Sequence, residues 1–105
     1  MAESEKFISI VAEENGIVVG LCFVEIRERS VMVNMRTAYM DDLIVDESCR
    51  KKGIAKALFA EAEARAKEPG AKRPDSMVWD FNKNAIGFYE HLGMTPQRYI
   101  FKKEL

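Results

Sequence analysis

The sequence predicts a single α/β (α+β mixed) domain: a mixed, mostly antiparallel sheet carrying helices, in the order β-β-β-α-β-α-β. Three observations predict it. Two apolar runs flank Asn15-Gly16, a strong hairpin signal. An alanine-rich stretch with apolar residues at helical spacing follows a third apolar run. A second, shorter helical segment ends at Gly93 and leads into a last run of strand character.

Taken in order, Phe7 to Ala12 reads as the first strand, and Glu13-Glu14-Asn15-Gly16 as the turn after it. Ile17 to Arg27 returns as a long β-branched strand, in which Gly20 marks an expected bulge. Glu28 to Arg36 is a looser connection. Thr37 to Val45 is the third strand, interrupted by Asp41 and Asp42, an odd place for two charges if the strand is buried. A helix runs from about Gly53 to Lys67, with Ile54, Leu58 and Ala62 on its apolar side and Ala57 and Ala64 flanking them. Glu68-Pro69-Gly70 ends it. Ala71 to Asp80 carries the next strand, best supported at Met77-Val78-Trp79, while Pro74 makes its first part an edge or irregular. Asn84 to Leu92 is the short helix, and Gln97 to Lys103 the final strand.

The 105 residues suffice for one domain, 1–105, with one modest core. Sixteen basic against 17 acidic residues leave a net charge of −1, so a global basic field for nucleic acid is absent and no nucleic-acid partner is expected. No apolar run approaches a membrane span, and the short acidic start, Met1 to Lys6, is unlike a secretion signal. Cys22, Cys49 and the single histidine, His91, are too few for a four-ligand zinc site, so no metal is expected. Two separated cysteines without a signal segment read as free, packed thiols in a reducing, cytoplasmic setting.

Two strings carry chemistry. In Arg50-Lys51-Lys52-Gly53-Ile54-Ala55-Lys56, Gly53 lets a ligand approach the backbone, and the N–H groups around it lie at a helix N-terminus. The helix dipole favours an anion there by about 0.3–1 kcal/mol, and Arg50, Lys52 and Lys56 can screen a pyrophosphate. No P-loop string is present, and a dinucleotide fingerprint would need more glycines. A plain loop-to-helix junction with solvated lysines is the competing reading. In the second string, Asn82 to Tyr89, Asn82 can hydrogen-bond an amide, Ala85 permits close approach, and neighbouring Phe88 and Tyr89 face different directions. Free phenols titrate near pH 10 and thiols near 8.5, so a phenol-to-thiolate proton transfer is uphill by only about 2 kcal/mol. Tyr89 therefore suits acid catalysis toward a thiol leaving group; a half-buried aromatic with its hydroxyl in water is the alternative.

These strings together, Asp41-Asp42-Leu43-Ile44-Val45-Asp46, Arg50-x-x-Gly53-x-Ala55 and Asn82-x-x-Ala85-x-x-Phe88-Tyr89-x-x-x-Gly93-Met94, resemble the GNAT (GCN5-related) N-acetyltransferases over about Tyr39 to Leu105. The resemblance implies acetyl transfer from acetyl-CoA to a primary amine, either a cationic small molecule or a protein lysine. It implies that Arg50, Lys51, Lys52, Gly53, Ile54, Ala55 and Lys56 wrap the CoA pyrophosphate. It implies that Leu43, Ile44 and Val45 pair by backbone with the pantetheine arm and that Asn82, beside Ala85 and Phe88, contacts that arm. Tyr89 would protonate the departing thiolate. Asp41 would stand where a base acts through water, and Asp42 beside it suggests a cationic acceptor. Direct proton transfer from a free ammonium to a free carboxylate would cost about 9 kcal/mol, so a water chain suits Asp41 better. In a regular strand Asp41 and Asp42 point to opposite faces, and only a bulge could turn both toward one cleft.

Lys51 and Ala55 replace residues usually glycine in the family, and Asp41 is one methylene shorter than the usual Glu. The family's first strand and two helices have no counterpart ahead of Phe7. The expected consequence is an uncovered edge and sheet face, closed by a homodimer or a swapped assembly. A non-catalytic CoA-binding or regulatory module is the alternative function.

Overall fold

The computed structural model describes residues 7–28, 34–50 and 53–105. Strands β1 (Phe7–Glu14) and β2 (Ile17–Arg27) are joined by a tight turn in which Asn15 and Gly16 both take positive φ, 56° and 81°. That conformation matches the right-handed twist of the flanking strands, and Asn-Gly adopts it at least cost. Strand β3 (Thr37–Val45) pairs antiparallel with β2, and α1 (Ile54–Ala66) crosses over to β4 (Arg73–Ser76), which pairs parallel with β3. The sheet order is β1-β2-β3-β4, and α2 (Lys83–His91) follows.

Helix α1 lies on one face of this sheet. Ile10 of β1, Cys22, Val24 and Ile26 of β2, and Ala38 and Met40 of β3 alternate toward it and meet Leu58, Phe59, Ala62 and Ala66. Ile54 packs at the margin, whereas Ala57 and Ala64 of the expected apolar side are exposed. Both cysteines are free and buried. Burial, and secondarily the charge of Asp42, pushes the Cys22 thiol above its ordinary range.

Gly20 stands beside a bulge between β1 and β2, but its own role is steric. A Cβ there would come within 3.0 Å of Leu58 Cδ1 and 3.2 Å of the Ile44 carbonyl oxygen. The missing side chain therefore lets α1 sit close on β2.

Two expected strands are corrected. The fourth strand occupies Arg73–Ser76 and stops before Met77-Val78-Trp79. Met40↔Ser76 is its last pair, and at the next residue β3 bulges against β2. Pro74 is tolerated because β4 is the outermost strand and pairs on one side only. Gln97 to Lys103 forms no strand: its residues are exposed, including Tyr99 and Phe101, and strand composition alone does not make a strand without a hydrogen-bonded neighbour.

Candidate active site

The site is built around the point where β3 and β4 part. Along β3 the register with β2 runs Val24↔Met40, then Phe23↔Asp42, so Asp41 is the extra residue of a β-bulge. The bulge flips the side-chain alternation. Before it, Ala38 and Met40 face α1; after it, Leu43 and Val45 do, and both pack on the core. Asp42 pairs across from Phe23 and Ile44 from Leu21, on the face away from α1, where Ile44 is 55% exposed. Both aspartates are exposed at the parting. Beyond Met40, the edge of β3 that faced β4 has no partner strand among the described residues. Its backbone groups are thus available to an extended ligand.

Past Val45 the chain is tied back by the Asp46 amide, which donates to the Val19 carbonyl (2.7 Å). The Asp46 carboxylate then accepts from the Ser48 amide and starts a 3₁₀ turn, Glu47–Cys49. Arg50 follows in extended conformation and is exposed. Lys51 and Lys52 lie outside the described residues. Gly53 is the N-cap of α1 at φ 79°, a left-handed conformation that glycine reaches without strain. No side chain of a described residue caps α1, and space beside the Gly53 α-carbon is open. The first-turn N–H groups of α1, from Ile54, Ala55 and Lys56, therefore face an accessible surface. Ala55 is half-buried and Lys56 exposed.

Helix α2 is fixed at both ends by local chemistry. The Ala85 amide donates to Asn82 Oδ1 (3.2 Å), so Asn82 is the N-cap, a role the sequence pattern did not assign it. At the other end the Met94 amide donates to the Tyr89 carbonyl (3.1 Å) and the Gly93 amide to the Glu90 carbonyl (3.0 Å), with Gly93 at φ 91°. This is a Schellman closure, and it anchors the backbone of Tyr89 itself. The Tyr89 ring is half-buried and lies 6.0 Å from Phe59 of α1 and 5.2 Å from Phe88, centroid to centroid. Phe88 meets Phe59 edge-to-face at 6.5 Å.

Leu43 and Val45, Ile54 and Tyr89 all pack on the same buried cluster, so one core holds the open strand, the helix start and the phenol-bearing helix together. One residue at the parting was not singled out in the sequence. Ser76, last in β4, has a buried Oγ with no hydrogen-bond partner among the described residues. A serine inside a short strand carries no sequence signal of its own. A surface groove of about 330 Å³ lies elsewhere, between β1 (Ile10 to Ala12) and α1, and is lined by no residue of β4 or α2. Among the described residues no group of three or more His, Cys, Asp or Glu could hold a metal ion, and no helix is long and apolar enough to cross a membrane.

The model of the acetyltransferase (GNAT) family matches residues 1–94. The chain belongs to the GNAT acetyltransferase family. Among its relatives is an L-ornithine N5-acetyltransferase of Arabidopsis thaliana, 38% identical over 55 residues. That match takes in 52% of this chain and only 24% of the relative, so the chain aligns with about a quarter of that protein. Among solved structures, the BH1408 protein of Bacillus halodurans superposes with a TM-score of 0.88 at 27% identity, over 99% of this chain and 69% of that one. An aminoglycoside acetyltransferase from an uncultured soil metagenomic sample does so at 0.82 and 26% identity, over 98% and 68%. An aminoglycoside N-acetyltransferase solved with CoA shares the fold, with a TM-score of 0.84 at 22% identity, over 95% of this chain and 77% of that one. The four-stranded mixed sheet with its parallel β3–β4 pair is thus a GNAT sheet, and acyl transfer is the family's general chemistry.

Proposed function

We propose that this GNAT chain transfers an acetyl group from acetyl-CoA to a primary amine of a cationic acceptor. The observation that carries the reading is the parting of β3 from β4 at the Asp41 bulge, which leaves one strand edge without a partner strand beside a helix start that no side chain caps among the described residues. In this reading the outer edge of Leu43, Ile44 and Val45 pairs with the pantetheine amides, and the Arg50–Lys56 loop takes the pyrophosphate on the N–H groups of α1. Asn82 caps α2 with its Oδ1 and turns its Nδ2 donors to the cofactor arm. The acceptor nitrogen attacks the thioester carbonyl carbon, an N–C bond forms and the C–S bond breaks. The thiolate takes the Tyr89 proton, and water relays the proton lost by the amine nitrogen past Asp41 to restore the phenol. Asp42 and Asp41, both exposed at the parting, favour an acceptor that brings positive charge. The ornithine and aminoglycoside acetyltransferases among the relatives agree with an acceptor of that kind.

Calorimetry with acetyl-CoA, run beside a thiol-release assay over a panel of diamines, ornithine, aminoglycosides and a lysine peptide, tests this. Binding with release on at least one amine is expected. Binding without release across the panel would make the chain a CoA-binding module, and no binding at all would remove the reading.

The same proposal includes a homodimer. β1 is an edge strand, and Phe7 (57% exposed) and Val11 (56%) leave an apolar strip along it on the face away from α1. A second copy paired along that edge would bury the strip. Sedimentation at micromolar concentration should give twice the chain mass; a well-folded monomer would remove the dimer.

A further inference from the structure

Buried hydroxyls without a partner are uncommon, because each costs about 1–3 kcal/mol of lost solvation. Among the described residues the Ser76 Oγ is such a group, and its position is specific. Ser76 pairs with Met40 in the last rung of the parallel β3–β4 ladder, one residue before the Asp41 bulge. Paired residues of a parallel ladder share a face, so Ser76 lies on the side of Met40, which is 4% exposed and faces α1. Tyr89 packs on the core from that same side. The strands separate immediately beyond the hydroxyl, so a ligand laid along the open edge of β3 would end beside it.

We propose that Ser76 binds the acyl end of the cofactor, its hydroxyl donating a hydrogen bond to the thioester carbonyl oxygen. This rests on the acetyl-CoA reading above and adds to it a contact that distinguishes acetyl-CoA from free CoA. The carbonyl oxygen is the better acceptor there, since sulfur accepts hydrogen bonds weakly. It also gains negative charge as the amine attacks, so the bond strengthens as the reaction proceeds. The unpaired hydroxyl of the free protein thus becomes a paired one in the complex. Ser76 touches the oxygen while Tyr89 serves the sulfur, so the acyl and thiolate sides of the breaking C–S bond have separate partners.

Ser76→Ala tests the proposal with effects of opposite sign. The free protein should melt at the same temperature or higher, because a buried unpaired group is gone. Its affinity for acetyl-CoA should fall about tenfold, the worth of one hydrogen bond, while its affinity for CoA stays within twofold. Ser76→Thr, which keeps the hydroxyl and suits a strand, should restore the preference for acetyl-CoA. A melting temperature lowered by several degrees in Ser76→Ala would make the hydroxyl structural and overturn the proposal. Equal losses for CoA and acetyl-CoA, or no loss for either, would overturn it as well while leaving the acetyl-CoA reading in place. Failure of the unmodified chain to bind either ligand would remove that reading, and this one with it.

Discussion

Tyr89→Phe should lower kcat for acetyl transfer by about 100-fold or more while leaving the fold intact, since a positioned general acid contributes typically 10²–10⁴. At about 1.36 kcal/mol per decade, that is a barrier increase of roughly 3–5 kcal/mol. The substitution isolates chemistry from packing. The Tyr89 ring touches Phe59 and Phe88, and phenylalanine keeps both contacts. Its backbone carbonyl, which accepts from Met94, is unaffected by the change. The melting temperature should therefore move by only a few degrees, and the KM for acetyl-CoA by no more than about threefold, because the lost hydroxyl acts on the leaving group and not on the bound ground state. Steady-state thiol release at saturating amine, with a melting curve on the same preparation, measures both. Tyr89→Ala would be a poorer probe, because it also empties the space beside Phe59. An unchanged kcat in Tyr89→Phe would pass the acid role to solvent and leave Tyr89 as packing.

The parts of this site that were legible in the sequence are those set by local chemistry. Asn15-Gly16 dictates its own turn, and Gly93 dictates the end of α2 just after Tyr89. Gly53 announces the start of α1, although the loop string could not say that no described side chain caps it. The rest depends on which strand lies beside which. Asp41 and Asp42 stood out as charges in a strand, but whether a bulge lay between them is a matter of register against β2, decided by the pairing of Val24 with Met40 and Phe23 with Asp42. β4 pairs with β3 only up to the residue before that bulge. Met77-Val78-Trp79 has the better strand composition, yet Arg73–Ser76 has the partner, and the partner wins. Gln97 to Lys103 shows the same rule from the other side: a segment with strand composition that pairs with no strand remains irregular. Asn82 illustrates a third limit. One residue type serves both as a helix cap and as an amide ligand, and the sequence pattern names the second role while the hydrogen bond to Ala85 shows the first.

Phe59→Ala should produce the largest loss of stability and, separately, a loss of activity. Phe59 is 3% exposed in the core cluster and meets the rings of Phe88 and Tyr89 on α2. Truncating a buried phenylalanine costs about 3–5 kcal/mol, a large share of the roughly 5–15 kcal/mol that holds such a domain together. At about 4–8 °C per kcal/mol for a domain near this size, the melting temperature should fall by more than about 10 °C. Leu58→Ala is the matched comparison. Leu58 is 4% exposed in the same cluster, so its loss should destabilise by about 2–5 kcal/mol. Phe59, unlike Leu58, is a ring partner of both Phe88 and Tyr89, at 6.5 and 6.0 Å. Once rates are corrected for the folded fraction, Leu58→Ala should keep most of its kcat. Phe59→Ala should lose about tenfold or more, because the phenol no longer has a wall to hold its angle, and misplacement by an ångström can cost about 100-fold. Equal corrected rates in the two variants would mean that the Schellman closure at Gly93 positions Tyr89 without help from α1. A melting temperature in Phe59→Ala within a few degrees of the unmodified chain would mean that α2 collapses into the vacated space, and that the core shared by the open strand, the helix start and the phenol is less tightly packed than Phe59 at 3% exposure indicates.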